Sequence, residues 1–192
     1  MSEDLLRVFQ EREALLEGHF LLSSGLHSAR YLQCARVLMD PVLATSLGAA
    51  LGARLGPALL ARAPTAVVSP ALGGVVIGQE VARALGVNAL FTEREAGKMT
   101  LRRGFRLGAV DVVVVVEDVV TTGGSTREVI DVVMQRGGAV AAAAALVDRS
   151  GSAGAGLPVP LHSLLQIDVP TWAAEDCPLC AKGGTAVKPG SR

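Results

Sequence analysis

Residues 112–126 read VVVVVEDVVTTGGST, and this stretch decides the fold. Five consecutive valines predict a buried β-strand, because β-branched runs bounded by turn signals are typical of strands covered on both faces. The strand is followed by two carboxylates, Glu117 and Asp118, and then by a loop of hydroxyl and glycine residues. A helical pattern over residues 125–136 comes next, so the loop is expected between the end of a strand and the start of a helix.

The loop has the chemistry of a phosphate site. Glycines let the backbone approach a ligand closely, free N–H groups at a helix N-terminus favour an anion, and hydroxyls add donors. Two adjacent carboxylates would repel phosphate, but they can accept hydrogen bonds from a vicinal diol. A ribose phosphate carries both groups. A buried strand with a Gly-rich turn explains the valines and glycines but leaves the carboxylates unexplained, and the stretch matches neither a Walker loop nor a G-x-G-x-x-G turn.

Strands and helices alternate along the rest of the chain. The patterns predict helices over 5–16, 42–60, 75–85 and 125–136, and strands over 65–69, 87–92, 110–116 and 139–147, with irregular or polar segments at 18–36 and 93–105. This order predicts an α/β fold with an open, mainly parallel sheet flanked by helices. Ligands bind beyond the carboxyl ends of such strands, so the loops that follow them can share one site.

Composition limits the classes of function. Half of the 192 residues are apolar, and 18 basic residues balance 18 acidic ones, which argues against a general nucleic-acid or acidic-membrane binder. With six aromatic residues, the chain offers little for a platform on which the bases of single-stranded nucleic acid could stack. Residues 42–61 are apolar but contain Arg54 and Pro57, which favours a packed helix over a membrane span. The N-terminus lacks a signal-peptide pattern and the three cysteines are an odd count, so we expect a soluble, cytoplasmic chain with reduced thiols.

Two further loops belong to the same predicted sheet edge. Residues 69–74, Ser-Pro-Ala-Leu-Gly-Gly, lie between a strand and a helix and suit a pyrophosphate. Residues 93–106 carry five basic side chains against two acidic ones. A solvated loop is the default interpretation of such a run, but cations opposite a phosphate loop indicate a lid for a polyanion.

The order of acidic pair, two variable residues and Thr-Thr-Gly-Gly-Ser resembles the ribose-phosphate motif of the type I phosphoribosyltransferases. The segment FLLSSGLHSARY at 20–31 resembles the F-x-L-x-S-G-x-x-S-x-x-Y hood of orotate phosphoribosyltransferases. The run Arg94-Glu95-Ala96-Gly97-Lys98 is similar to the catalytic loop of that family, although many members read Lys-Glu-Ala-Lys-x-His and this chain lacks the histidine. Many members also have lysine where this chain has Ser23.

This resemblance implies transfer of ribose 5-phosphate from phosphoribosyl pyrophosphate to N1 of orotate, giving orotidine 5′-phosphate and pyrophosphate in pyrimidine synthesis. The implied catalytic residues are Lys98 and Asp118. The implied phosphoribosyl pyrophosphate ligands are Glu117, Asp118, Val119, Val120, Thr121, Thr122, Gly123, Gly124, Ser125, Arg94, Lys98, Ala71, Leu72 and Gly73. The implied orotate ligands are Thr121, Arg149, Ser24 and Gly25. Arg149 matches an orotate-contacting arginine of the family, and a surface pair with Asp148 is the competing interpretation.

The resemblance also implies Mg²⁺ held mainly by substrate oxygens, and a homodimer whose catalytic loop reaches the neighbouring site. No nucleic-acid or membrane partner is expected. Two alternatives stay open: a purine or uracil phosphoribosyltransferase, and a non-catalytic regulator that binds phosphoribosyl pyrophosphate. The hood and Arg149 argue against the first, and the absence of a winged-helix segment or basic face in the sequence argues against the second.

The predicted organisation is an N-terminal helix and hood at 1–40, a core at 41–170 and a C-terminal tail at 171–192. The tail contains Cys177-Pro-Leu-Cys180, the spacing of half a zinc site, with Cys34 and three scattered histidines, His19, His27 and His162, as the remaining candidate ligands. We favour a structural turn over a redox pair, with metal binding across a dimer as the lesser alternative, and assign His27 no role.

Overall fold

The computed structural model describes residues 2–22, 25–60, 62–151 and 154–188. Its helices are α1 (Ser2–Glu11), α2 (Ala35–Leu38), α3 (Pro41–Leu59), α4 (Gly73–Leu85), α5 (Gly124–Gln135) and α6 (Pro178–Ala181). Its strands are β1 (Leu15–Leu21), β2 (His27–Leu32), β3 (Ala66–Pro70), β4 (Asn88–Glu95), β5 (Lys98–Leu101), β6 (Val112–Val120), β7 (Ala139–Asp148), β8 (Leu161–Gln166) and β9 (Thr171–Trp172).

The central sheet has the strand order β5-β4-β3-β6-β7-β8. Every neighbouring pair is parallel except β4 and β5, which form an antiparallel hairpin. The chain moves outward from β3 to β4, then returns to the other side of β3 to form β6, so the strand order reverses between β3 and β6. In open α/β sheets, the crevice beyond the carboxyl ends at such a reversal is where ligands bind. The predicted α/β class with a mainly parallel sheet is confirmed.

The valines of β6 are buried on both faces of this sheet. Val113 and Val115 pack with Val129, Ile130 and Val133 of α5. Val114 and Val116 face the opposite layer, which includes apolar residues of α1, α3 and α4. Because both faces are covered by helices, the strand carries no alternating polar residues, as the valine run predicts.

Local capping signals set the helix ends. Asp40 accepts hydrogen bonds from the backbone N–H groups of Val42 and Leu43, and Pro41 occupies the first turn of α3. Gly86 ends α4 with a left-handed φ of 71°. The helix starts and ends predicted at these positions are correct to within two residues.

The N-terminal region differs from the prediction. The helix expected over 5–16 ends at Glu11, and the segment expected to be irregular forms an antiparallel hairpin of β1 and β2. Strand β9 pairs with β2 on its other side and completes a small sheet. Side-chain periodicity does not reveal this hairpin, because a bulge interrupts the register of β1 and β2 between Glu17 and Phe20. The hairpin is held by backbone hydrogen bonds between the two strands.

Helix α3 is long and apolar enough to cross a bilayer by length and composition, which is weak evidence by itself. In the structure it packs against α4 and the sheet, and 39% of its most apolar window is buried. A Cβ added at Gly48 would lie 2.5 Å from Cβ of Glu80, so the two helices approach closely there. These contacts agree with the packed-helix interpretation of residues 42–61.

Candidate functional site

Three loops, which follow β3, β6 and β7, meet at the carboxyl edge of the central sheet. The loop after β3 approaches the acidic pair on β6 so closely that a Cβ on Gly73 would lie 2.7 Å from Oδ1 of Asp118. The backbone N–H of Ala71 donates to the carbonyl of Thr92 at 2.8 Å, which fixes this loop against β4, and the peptide bond between Ala71 and Leu72 is cis. Glycine is therefore the residue that lets the loop lie against the carboxylate.

The loop after β6 forms a cradle at the start of α5. Gly123 has a left-handed φ of 74° and occupies the N-cap position, and α5 begins at Gly124. A Cβ on Gly123 would lie 2.9 Å from the carbonyl oxygen of Ala155. The cradle is part of a pocket of about 450 Å³, lined by Arg94, Glu117, Val119, Thr121, Thr122, Gly123, Gly124, Ser125 and Glu128. Hydroxyls, free N–H groups and a guanidinium on one concave surface suit a phosphate.

The acidic pair lies inside β6 rather than after it, because the strand continues to Val120. Burial raises the pKa of Glu117 to about 7; repulsion from Asp118 adds to the increase, and a hydrogen bond from Thr126 opposes it. Burial also raises the pKa of Asp118. Because burial disfavours the ionised forms of both carboxylates, hydrogen bonds donated by an incoming ligand would stabilise those forms.

A second pocket, of about 690 Å³, adjoins the acidic pair from the side of the N-terminal hairpin. It is lined by Leu22, Leu26, Tyr31, Leu32, Gln33, Asp118, Val119, Thr121, Thr122, Arg149, Ser150, Gly154, Val169 and Thr171. The two pockets share a wall, because both are lined by Val119, Thr121 and Thr122.

Arg149 brings a positive charge into the second pocket. Its buried Nε has no hydrogen-bond partner among the described residues, and burial lowers the pKa of its guanidinium. The competing surface pair with Asp148 is not found among the described residues, where Oδ1 of Asp148 instead accepts hydrogen bonds from the backbone N–H and the hydroxyl of Ser150, at 2.8 and 2.6 Å. Arg149 is thus available to an anionic ligand, and its planar fork suits a carboxylate.

The basic segment, for which a solvated loop or a lid was expected, is largely an antiparallel hairpin. Ala96 and Gly97, both with positive φ, form the two-residue turn between β4 and β5. Arg94 pairs with Glu128, Arg102 with Glu95, and Arg103 with Glu93. Lys98 is exposed next to the turn and has no ion pair within the ranges described. Three of the five cations are therefore paired with carboxylates, and Arg94 alone among the five lines the cradle.

Some predicted ligands have other positions. The Val120 side chain is buried with Ala145 and Ala155, so only its backbone faces the loop region, where its carbonyl accepts the N–H of Arg149 at 2.8 Å. Leu72 is 87% exposed. Gly25 is exposed with a φ of 83°, between the pocket-lining residues Leu22 and Leu26. Ser24, like Ser23, lies outside the described residues.

Sequence reasoning gave no role to several residues of the second pocket. The Tyr31 hydroxyl donates to Oε1 of Gln33 at 3.1 Å, and both side chains line the pocket beside Asp118. Tyr31 ends the hood motif, so that motif is the signal that identifies it. Val169 and Thr171 come from the far end of the chain, and no local pattern indicates their place in the pocket.

Comparison with known proteins identifies similar chains. The family model of the phosphoribosyl transferase domain matches residues 54–159. The chain is 54% identical over 192 residues to the orotate phosphoribosyltransferase of Novosphingobium aromaticivorans, covering 100% of this chain and 98% of that protein. It is 53% identical over 191 residues to the orotate phosphoribosyltransferase of Acidithiobacillus ferrooxidans, covering 100% and 97%.

A solved structure has the same fold. The crystal structure of orotate phosphoribosyltransferase from Aeropyrum pernix superposes with a TM-score of 0.69 at 32% sequence identity, covering 85% of this chain and 93% of that one. The similarity therefore extends over most of both chains.

Proposed function

The chain belongs to the orotate phosphoribosyltransferase family, and from this membership we propose how its own residues carry out the reaction. The enzyme transfers ribose 5-phosphate from phosphoribosyl pyrophosphate to orotate in pyrimidine biosynthesis. The bond between the anomeric carbon and the pyrophosphate oxygen breaks, N1 of orotate bonds to that carbon and loses its proton, and the products are orotidine 5′-phosphate and pyrophosphate.

The observation that carries the assignment of roles is the wall shared by the two pockets. The cradle at 121–125 holds the 5′-phosphate, and the carboxylates of Glu117 and Asp118 accept hydrogen bonds from the ribose hydroxyls. The second pocket takes orotate, with Arg149 facing its carboxylate. This placement puts the anomeric carbon where the pockets meet, so positioning supplies much of the catalysis.

The pyrophosphate lies against residues 71–73, the loop in contact with Asp118. Lys98 stabilises its developing negative charge when the β4–β5 hairpin closes over the site. Arg94 already lines the cradle and exchanges its contact with Glu128 for a substrate phosphate.

The residues present also fit Mg²⁺, whose preferred ligands are oxygens, because the Asp118 carboxylate lies against the loop at 71–73, where an added Cβ on Gly73 would be 2.7 Å from its Oδ1. When bound, the ion would neutralise charge on the pyrophosphate and be held mainly by substrate oxygens. The chain's part is to orient those oxygens through Glu117, Asp118 and the backbone of the loop at 71–73. We further propose a cytoplasmic homodimer with shared sites, on the strength of the family resemblance.

The test is an assay of orotate consumption with phosphoribosyl pyrophosphate and Mg²⁺, with uracil and adenine as competing bases. Arg149→Lys should raise the KM for orotate and reduce the preference for orotate over uracil, because an ammonium cannot make the paired contact. Arg136→Lys, at the far end of α5, is the matched control. An unaltered orotate KM in Arg149→Lys would show that Arg149 does not bind the carboxylate of orotate. If the wild-type chain turned over uracil or adenine but not orotate, orotate would not be its substrate.

A further inference from the structure

A cluster outside the active site brings together two histidines and two cysteines. His19 on β1 and His27 at the start of β2 meet Cys177 and Cys180 from the C-terminal tail, and their candidate ligand atoms all lie within 4.8 Å of one another. The second pair of ligands that the Cys-x-x-Cys motif lacks in the sequence is thus supplied by the β1–β2 hairpin of the same chain. His27, to which the sequence assigned no role, is one of them.

The distances are those of ligands around one point. Nε2 of His19 lies 3.5 Å from Sγ of Cys177 and 3.7 Å from Sγ of Cys180. Nδ1 of His27 lies 3.3 Å from Sγ of Cys180 and 2.9 Å from Nε2 of His19. A tetrahedral ion with Zn–S bonds of about 2.3 Å and Zn–N bonds of about 2.0 Å separates its ligands by about 3.3–3.8 Å, so three of these four distances match and the fourth needs a small expansion.

Burial and hydrogen bonding also fit a metal site. Cys177 is 2% exposed and His27 is 9% exposed. The other ring nitrogen of His19, Nδ1, is buried without a hydrogen-bond partner in the part of the chain that the structure describes, so the polar contacts of this ring are all directed into the cluster. Gly184 passes close to the same ring, since an added Cβ would lie 3.2 Å from Nδ1.

The C-terminal tail buries few of its side chains against the rest of the chain. Of the described residues 173–188, Cys177 alone is buried. Val187 adds backbone hydrogen bonds to Leu21 and His19, but its side chain is 61% exposed. Small segments with little apolar core are commonly held by a metal ion or a disulfide, and the cysteines here are free.

We propose that His19, His27, Cys177 and Cys180 bind one Zn²⁺ ion, which fastens the C-terminal tail to the β1–β2 hairpin. Two thiolates and two imidazoles in a tetrahedral arrangement are a typical structural zinc set with no open position. The ion also supports the second pocket, because the neighbours Leu26 and Thr171 line it and Trp172 pairs with His27.

The test is metal content of the full chain, purified under reducing conditions without chelator after growth with added zinc. We expect about one zinc per chain, and loss of most of it in the double variant Cys177→Ser/Cys180→Ser. Cys34→Ala and His162→Gln remove a thiol and an imidazole outside the cluster and should keep the wild-type metal content.

Cobalt substitution of the wild-type chain tests the same site without a variant that could fail to fold. Co²⁺ bound by two thiolates and two imidazoles gives the intense visible and charge-transfer absorption of a tetrahedral thiolate site. The proposal would be overturned if zinc-free wild-type protein gave none of these bands after Co²⁺ is added. It would also be overturned if the double variant kept its metal, or if freshly purified protein contained a Cys177–Cys180 disulfide. Because no substrate is involved, failure here is independent of the proposed activity.

Discussion

The burial of the Glu117 carboxyl lowers the stability of the folded chain at neutral pH. This carboxyl has a folded-state pKa of about 7 against an ordinary value of 4.5, chiefly because of burial. Between these values the folded chain binds more protons than the unfolded chain, so stability decreases as the pH rises from about 4.5 to about 7. The loss of stability caused by ionising buried Glu117 is complete above its folded-state pKa and absent below its unfolded-state pKa.

Glu117→Gln should therefore raise the free energy of unfolding at pH 8 by up to about 3 kcal/mol and change it little at pH 4.5. An amide oxygen can still accept the hydrogen bond from Thr126, so the gain is not offset by a lost partner. Urea unfolding at both pH values measures it, with the exposed Glu175→Gln as control. Equal stability changes at the two pH values would contradict the assigned pKa.

Asp118→Asn should reduce activity far more than stability, because it removes a charged acceptor for the ribose hydroxyls. A hydrogen bond to a charged group contributes about 1.5–3 kcal/mol, so kcat/KM for phosphoribosyl pyrophosphate should decrease about 10- to 150-fold. Steady-state kinetics and the thermal midpoint measure the two effects, with Asp131→Asn on the exposed surface of α5 as control. Unchanged affinity for phosphoribosyl pyrophosphate would remove Asp118 from the ribose site.

At the scale of elements, α3 and α4 illustrate packing set by glycine. A Cβ at Gly48 would lie 2.5 Å from Cβ of Glu80 and 2.7 Å from its carbonyl carbon, so the helices would have to separate. At Gly56 on the same helix, an added Cβ meets nothing within 4 Å. The same substitution should therefore have opposite effects at these two positions.

Gly48→Ala should destabilise the chain by about 1–3 kcal/mol through overpacking. Gly56→Ala should stabilise it by about 0.5–1 kcal/mol through the higher helix propensity of alanine. Denaturant unfolding of both variants gives the comparison. A stabilising effect at both positions would show that α3 does not lie against α4 as described.

The elements that sequence patterns predict best are those with a single strong signal. The valines of β6, the Asp40-Pro41 start of α3 and the glycine after α4 each specify a boundary locally. The alanines of β7 favour a helix by propensity, and the strand is predictable only from its place in the alternation. The β1–β2 and β4–β5 hairpins were missed because their strands are partly exposed and are stabilised by cross-strand pairing rather than by an apolar period.

At the scale of the whole molecule, the reversal of strand order between β3 and β6 assembles the site from distant segments. The Gly-rich loop after β6, the acidic pair and Arg149 could be placed at the carboxyl edge of the sheet from sequence, because each directly follows or ends a predicted strand, while the role expected of Arg149 came from the family resemblance. Tail residues such as Thr171, and the pairing of His19 with Cys177, depend on contacts over more than 140 residues and leave no local periodicity to detect.

The position of Lys98 bears on assembly. It is exposed beside the turn of the β4–β5 hairpin and lines neither of the two pockets. A catalytic role for it requires either that its own hairpin closes over the site or that the hairpin of a second copy reaches across, as the family resemblance implies. These two arrangements differ in which residues must belong to one chain.

Lys98→Ala and Asp118→Asn should each lower turnover strongly while leaving the fold intact, and mixing the two variants should restore activity. If each site combines Asp118 of one chain with Lys98 of its partner, a heterodimer of the two variants contains one site with both native residues. Random reassociation makes about half of the dimers heterodimers, so the recovered activity should approach about a quarter of that of the wild type. Native mass spectrometry verifies the heterodimers, and mixtures of Lys98→Ala with itself provide the control. Verified heterodimers without recovered activity would place Lys98 and Asp118 of a working site in the same chain.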